Sequence, residues 1–168
     1  MLFFSSFGQT YFVSRFNDDL RAEFGLSHGD IGFLFSLATF VAGLLMMWIG
    51  RKIDHVDLRM FTSFICAGLI AGCFMMATAE GVALLFIALF LLRLSGQGLM
   101  MHASFTSMTR YFERERGRAI SIASFGISAA QAVFPYLAYI LILQFGWREA
   151  WQISAVFLSV FLIPLMLW

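Results

Sequence analysis

Apolar residues fill six stretches of the chain, at about residues 1–14, 29–49, 60–79, 82–104, 119–143 and 147–168, with short charged or glycine-bearing links between them. Runs such as Val82 to Leu92 are apolar on every side and offer no polar face to water. The period-two alternation of membrane barrel strands is absent. A chain that crosses hydrocarbon without closing into a barrel must satisfy its backbone N–H and C=O groups within helices. The pattern therefore predicts an all-α membrane protein with six transmembrane helices in one bundle.

Composition agrees. Of 168 residues, 61% are hydrophobic and 12% charged, and the mean hydropathy is +0.85. A soluble domain carries about 25% charged residues. Six spans of about 20 residues use nearly the whole chain and leave no room for a soluble catalytic domain. A net charge of +1 gives no reason to expect a nucleic-acid partner. Cys66 and Cys73 lie seven apart on one face of an apolar run and read as small packing residues. With three scattered histidines, they suggest no metal site, and nothing in the sequence asks for a cofactor.

The links alternate in character. The second carries Arg51, Lys52 and Arg59, and the fourth carries Arg110, Arg114, Arg116 and Arg118. The third has only Glu80, the fifth the Arg148/Glu149 pair, and the first mixes Arg15 and Arg21 with Asp18, Asp19 and Glu23. Seven of eleven basic residues thus fall in links two and four, which the positive-inside rule assigns to the cytoplasm. Both chain ends are then expected to be cytoplasmic. The first stretch, rising about 21 Å against a core of about 30 Å, is short for a span, so a truncated first helix is expected. It lacks the basic start and cleavage site of a signal peptide. Ser14-Arg15-Phe16 and Thr109-Arg110-Tyr111 match in chemistry at the ends of spans 1 and 4, as a pair of three-helix repeats would leave them.

Arg93 lies eleven positions into the fourth span, near the bilayer midplane. A guanidinium there costs about 2.5–3.5 kcal/mol on insertion scales and marks a functional site by default. All ten carboxylates lie in links or at helix ends. Arg93 therefore needs an anionic ligand, a carboxylate from another polypeptide, or neutral acceptors such as Gln97. At about 100° per residue, Arg93, Gln97, Met100 and Ser104 share one face of the fourth span; His102, opposite, reads as hydrogen-bonded between helices near the cytoplasmic end, with a proton relay as the alternative. Ser5 and Gln9 in span 1, and Ser121, Ser124, Ser128, Gln131 and Pro135 in span 5, form further polar stripes that should face a cavity or another helix. Gln9, Gln97 and Gln131 are the candidate solute contacts beside Arg93. Gly68 and Gly72, and Gly126 and Ala130, permit close helix approach. The second link forms a tight charged hairpin whose carboxylates either pair with the arginines of link four or a helix N-terminus, or stand in solvent.

At this point the residues resemble a known family. Gly50-x-x-x-Asp54-x-x-x-x-Arg59 between spans 2 and 3 is similar to the signature loop of the major facilitator superfamily, Gly-x-x-x-Asp-Arg/Lys-x-Gly-Arg-Arg/Lys. It departs from that form at His55, Asp57 and Leu58. Arg93-Leu-Ser-Gly96-Gln97-Gly98 resembles the family's intramembrane Arg followed by closely spaced glycines, and Arg110 through Gly117-Arg118-Ala119 resembles the charged link into its fifth span. The resemblance covers the whole chain but only the amino-terminal six-helix half of such a transporter. It implies that spans 1 and 4 line a central cavity, that spans 2 and 5 face a second six-helix bundle, and that spans 3 and 6 lie outside.

It also implies that Gly50, Asp54, Arg59, Arg110 and Arg118 form a cytoplasmic gating latch, and that Arg93 serves substrate binding or proton coupling. The antiporter pair Gly-Pro of span 5 is replaced by Phe134-Pro135, which points away from drug efflux. The expected function is secondary transport of a small organic solute, anionic or proton-linked, by alternating access in a bacterial inner membrane. The rivals are an intramembrane enzyme and a non-transporting fragment. A six-helix protease needs Gly-x-Ser-Gly on span 4 and a histidine on span 6, whereas Ser95-Gly96 follows Arg93-Leu94 and residues 147–168 hold no histidine.

Overall fold

The computed structural model describes residues 1–54, 56–112 and 114–167, without the side chains of residues 52, 54, 116 and 165–167. Every regular element among them is helical. The chain begins with a 3₁₀ turn, Phe4–Gly8, then α1 (Thr10–Val13), a second 3₁₀ turn, Ser14–Phe16, and α2 (Asn17–Phe24). The long helices follow: α3 (His28–Ile49), α4 (Leu58–Ala77), α5 (Val82–Tyr111), α6 (Arg116–Phe145) and α7 (Trp147–Leu167). A 3₁₀ turn, Gly50–Asp54, closes α3. The four helices α3 to α6 are long and apolar enough to cross a membrane. α7 carries Arg148, Glu149 and Gln152 in its first turns and is not among these four.

Local chemistry sets the helix ends. Ser27 caps α3: its Oγ accepts from the Asp30 N–H at 3.1 Å, while Asp30 Oδ2 accepts from the Ser27 N–H at 2.9 Å. Asp57, one of the departures from the loop signature, caps α4 by accepting from the N–H groups of Arg59 and Met60 at 2.8 and 3.2 Å. Gly25, at φ +64°, ends α2 in the left-handed conformation that glycine adopts without steric penalty.

α4 packs against both α5 and α7. Its Gly68 and Gly72 face Ser95 and Leu92 of α5, giving the close approach expected of them. Phe12 and Phe16 seat the first segment against Trp151 of α7, with the Phe16 and Trp151 ring centroids 4.6 Å apart. Phe7 reaches Phe134 of α6 at 4.8 Å. α3 and α6 keep most of their apolar surface outside the packing, including Phe33, Phe40 and Trp48 on one and Phe125, Tyr136 and Leu143 on the other.

The two ends of the molecule are tied separately. At one, Arg110 donates from both Nη atoms to the Ile53 carbonyl at 3.4 Å, joining links two and four. At the other, Arg148 donates to the Ala77 carbonyl at 3.1 Å and to Glu23 Oε1 at 2.9 Å, joining links one, three and five. The alternation read from the charges is thus a spatial one. The Arg148/Glu149 neighbours do not pair with each other, because Arg148 reaches across to Glu23.

The first segment differs most from expectation. It is not one helix over residues 1–14 but is interrupted at Gln9, whose ψ of 151° is extended. The interruption lies where Gly8 meets Gly96 of α5. A Cβ built on Gly8 would fall 2.8 Å from the Gly96 Cα and would collide with the Leu92 carbonyl oxygen; one on Gly96 would fall 2.7 Å from the Gly8 Cα. Two backbones here occupy space that any side chain would need.

Gly8→Ala is therefore expected to destabilise the protein by about 1–3 kcal/mol, as overpacking does. The readout is a fall in melting temperature in detergent. Gly32→Ala, at a position with no atom within 4 Å of the added Cβ, serves as the control and leaves it unchanged. Equal melting temperatures for the two variants would refute the contact.

Candidate functional site

The middle of α5, Arg93–Met100, is a π-helix. Its sequence, with Gly96 and Gly98, has low α propensity, and Gly96 is held against a neighbouring backbone rather than by a side chain. Segments with i→i+5 bonding are frequent at functional sites. Arg93 opens it.

Arg93 is 4% exposed and is held by neutral acceptors on α3 and on the first segment. Its Nε donates to Thr39 Oγ1 of α3 at 2.9 Å, and its Nη1 donates to the Gly8 carbonyl at 2.9 Å and to Thr10 Oγ1 at 3.3 Å. The guanidinium also lies over the Phe35 ring, 4.6 Å from its centroid. The chain interruption frees one of these acceptors. In a continuous α-helix the Gly8 carbonyl would accept from the Phe12 N–H, but that N–H donates to Gln9 instead, at 3.2 Å. The freed carbonyl is the one Arg93 takes.

Among the described residues Arg93 has no carboxylate partner, and its Nη2 makes no hydrogen bond. Arg93 lines a cavity of about 270 Å³ between α3 and α5, with Thr39, Ala42, Met46, Gln97 and Gly98. A positive charge with an unused donor at a largely apolar cavity, where little else competes for an anion, can bind an oxyanion by a charge-assisted hydrogen bond. Of the three partners open to Arg93 on sequence grounds, the structure supplies the neutral acceptors. They are Gly8, Thr10 and Thr39, and Gln97 is a neighbour in the cavity, not a partner.

The other site residues divide. Gln9 donates from Nε2 to Met101 Sδ at 3.0 Å, bridging the chain interruption to α5 below the π segment. Gln131 is exposed on α6 and lines a separate groove with Arg15, not the Arg93 cavity. Met100 and Ser104 are buried, and Ser104 bonds back to the Met100 carbonyl, so neither joins the cavity.

His102 bonds the Gly50 carbonyl at 3.3 Å, between neighbouring elements at the charged end as expected, and does not line the Arg93 cavity. Both residues nonetheless reach α3 or its end, Arg93 through Thr39, and the intervening π segment turns less than 100° per residue. Ser95 faces Gly68 on α4, so Ser95 and His102 are not a nucleophile and base pair.

At the charged end, the Gly50 carbonyl is taken by His102 and Arg110 joins the Ile53 carbonyl. Arg59 is exposed, and Arg118 pairs with Glu115 at 3.6 Å on an exposed helix start, a contact of small energetic weight. The Asp54 side chain lies outside the described residues, as does His55.

Sequence reasoning passed over Gly8, Thr10, Thr39 and Phe35. One signal was present for Thr39: it stands ten positions into its stretch, close to the depth of Arg93. The Gly8 carbonyl leaves no such trace, because its availability arises from the fold.

The profile of the family described as Major Facilitator Superfamily matches residues 1–168. No curated protein matches the chain.

Hydrogen bonds to a charged group contribute about 1.5–3 kcal/mol each. Thr39→Val is expected to lower the melting temperature more than Thr10→Val, whose contact is longer and at an exposed residue. The opposite order would mean that Arg93 is anchored from the first segment and not from α3.

Proposed function

The chain belongs to the major facilitator superfamily, a family of membrane transporters and not of enzymes, and from that premise we propose that it is the amino-terminal six-helix half of a secondary transporter for a small organic anion. Residues 1–168 act in this reading as one bundle of two three-helix repeats, with α7 and the interrupted first segment completing the six spans. A second six-helix bundle, from the same or another polypeptide, completes the path, and α3 and α6 supply the wide apolar faces for it and for lipid. Transport proceeds by alternating access in a bacterial inner membrane, with the arginine-rich links two and four on the cytoplasmic side.

One observation carries the reading: an interrupted helix gives its carbonyl to a buried arginine that lines a cavity and keeps Nη2 without a hydrogen-bond partner. Interrupted helices at substrate sites recur among transporters, because irregular backbone is tolerated in a membrane only within protein or against a cavity. The Nη2 edge of Arg93 then takes the solute carboxylate, and Gln97 offers an amide beside it. Gln9 couples the interruption to α5, and Gly50, Asp54, Arg59, Arg110 and Arg118 form the cytoplasmic latch. The protein's carboxylates all lie in links or at helix ends. A coupled proton therefore travels with the solute or on a carboxylate of the second bundle.

The test is uptake of small carboxylates such as lactate, succinate and benzoate by cells expressing the full transporter. Arg93→Ala is expected to lower uptake about 10- to 100-fold, the equivalent of one charged hydrogen bond. Arg93→Lys, which keeps the charge without the fork, falls between. Normal uptake by both variants would remove Arg93 from the mechanism.

Orientation is checked with single cysteines. Cys66 and Cys73 are fully buried and stay silent. An impermeant maleimide should label Glu80→Cys in intact cells and Arg114→Cys only after the membrane is opened; the reverse pattern overturns the topology.

A further inference from the structure

α4 packs against α5 and α7 and buries Phe61, Ile65 and Leu69, which leaves Met60 and Phe64 on its outer side, 70% and 67% exposed. With Ile49 at the end of α3, Val56 of link two and the edge of Phe61, these two line a groove of about 420 Å³ whose wall is entirely apolar. Trp48, next to Ile49, is also exposed. A tryptophan beside a basic link marks the membrane–water interface, so the groove starts at that interface, and Phe64 lies one helical turn deeper than Met60.

Two arginines flank the groove in sequence: Arg51, two residues beyond Ile49, and Arg59, immediately before Met60. Both are exposed, and among the described residues neither guanidinium makes a hydrogen bond or ion pair. Arg59, assigned above to the latch, is thus open to another partner. The turn that carries Arg51 is held from α5, through the Gly50 carbonyl by His102 and the Ile53 carbonyl by Arg110. Asp57 spends Oδ1 on the N–H groups of Arg59 and Met60, at the positive start of α4.

Hydrocarbon gains little by leaving bulk lipid for a groove, so the apolar wall sets where a chain lies and the arginines choose its headgroup. A phosphodiester accepts from guanidinium donors, and long arginine stems reach the interface from a helix end. A choline or ethanolamine cation would be brought against two like charges. We infer that the cytoplasmic ends of α3 and α4 form a binding site for one anionic phospholipid, with an acyl chain in the groove and the phosphate on Arg51 and Arg59. The inference requires that the chain cross a membrane and is independent of what it transports.

Phe64→Trp, an aromatic exchange at an exposed position on the groove wall, allows the site to be observed. The chain is placed in phosphatidylcholine nanodiscs with increasing fractions of phosphatidylglycerol that carries a dibrominated acyl chain. Bromine quenching is followed on the fluorescence that the new tryptophan adds to the parent chain. Half-quenching should come at a fraction at least about tenfold below that needed with dibrominated phosphatidylcholine, since each basic residue near the surface favours an anionic lipid about fivefold. Dibrominated phosphatidylethanolamine should match phosphatidylcholine. Phe33→Trp, exposed near the other end of α3, should report no difference among the three lipids.

Arg51→Gln and Arg59→Gln, both at exposed positions, should each cut the preference about fivefold, and the double variant should abolish it. Lysine at both positions should retain most of it. Equal curves for phosphatidylglycerol and phosphatidylcholine at Phe64→Trp would overturn the site, as would a preference for phosphatidylethanolamine. An equal preference at Phe33→Trp, or one unchanged in the double glutamine variant, would show general attraction of anionic lipid and overturn it as well.

Discussion

A guanidinium enclosed among apolar helices must find acceptors or carry a large desolvation cost, and Arg93 finds them by drawing two other elements onto α5. One acceptor is a hydroxyl on α3 and another is a backbone carbonyl of the first segment. A carbonyl is available only if the helix that contains it is interrupted, and it comes within 2.9 Å only if the two backbones touch. Gly8 and Gly96 permit that touch because neither carries a Cβ. The interruption, the glycine pair and the arginine form one arrangement, and loss of any member removes the reason for the others.

That arrangement lies between two tied ends. Arg148 gathers the three links at one end, and Arg110 with His102 gathers the two at the other. Each arginine reaches a main-chain carbonyl left free at the end of another element, so a cation completes a helix terminus or turn rather than only neutralising a side chain. Among the described residues the exposed Arg118–Glu115 pair has no such partner and contributes little to position.

Much of this was legible in the sequence. Hydrophobic runs mark where the long helices lie, since burial in lipid leaves no other use for such runs, although α5 continues seven residues past its run to Tyr111, and the arginine distribution separates links two and four from the rest. Gly68 and Gly72 were legible because spacing by four places two small residues on one face. The interruption at Gln9 was not, since Phe-Gly-Gln-Thr is compatible with a continuous apolar helix until Arg93 claims a carbonyl from it. Nor was the π segment, because helical arithmetic presumes a constant pitch. Asp57 shows the reverse: a departure from the loop signature proves to be a local device, the N-cap of α4.

The pitch of α5 decides more than the position of one side chain. Thr39 and Gly50 lie eleven residues apart on and just beyond α3, and α5 grips both, through Arg93 and His102. Had residues 93–102 been α-helical, their nine steps of about 100° would make two and a half turns, and the two grips would face opposite sides of the helix. The wider pitch of residues 93–100 fits a helix that holds its neighbour both at the cavity and at the charged link. The same segment also brings Gly96 against Gly8. The Arg93–Met100 stretch thus sets the register of three elements at once, which is why its glycines, with no side chains to pack, fix more of the structure than the apolar residues around them.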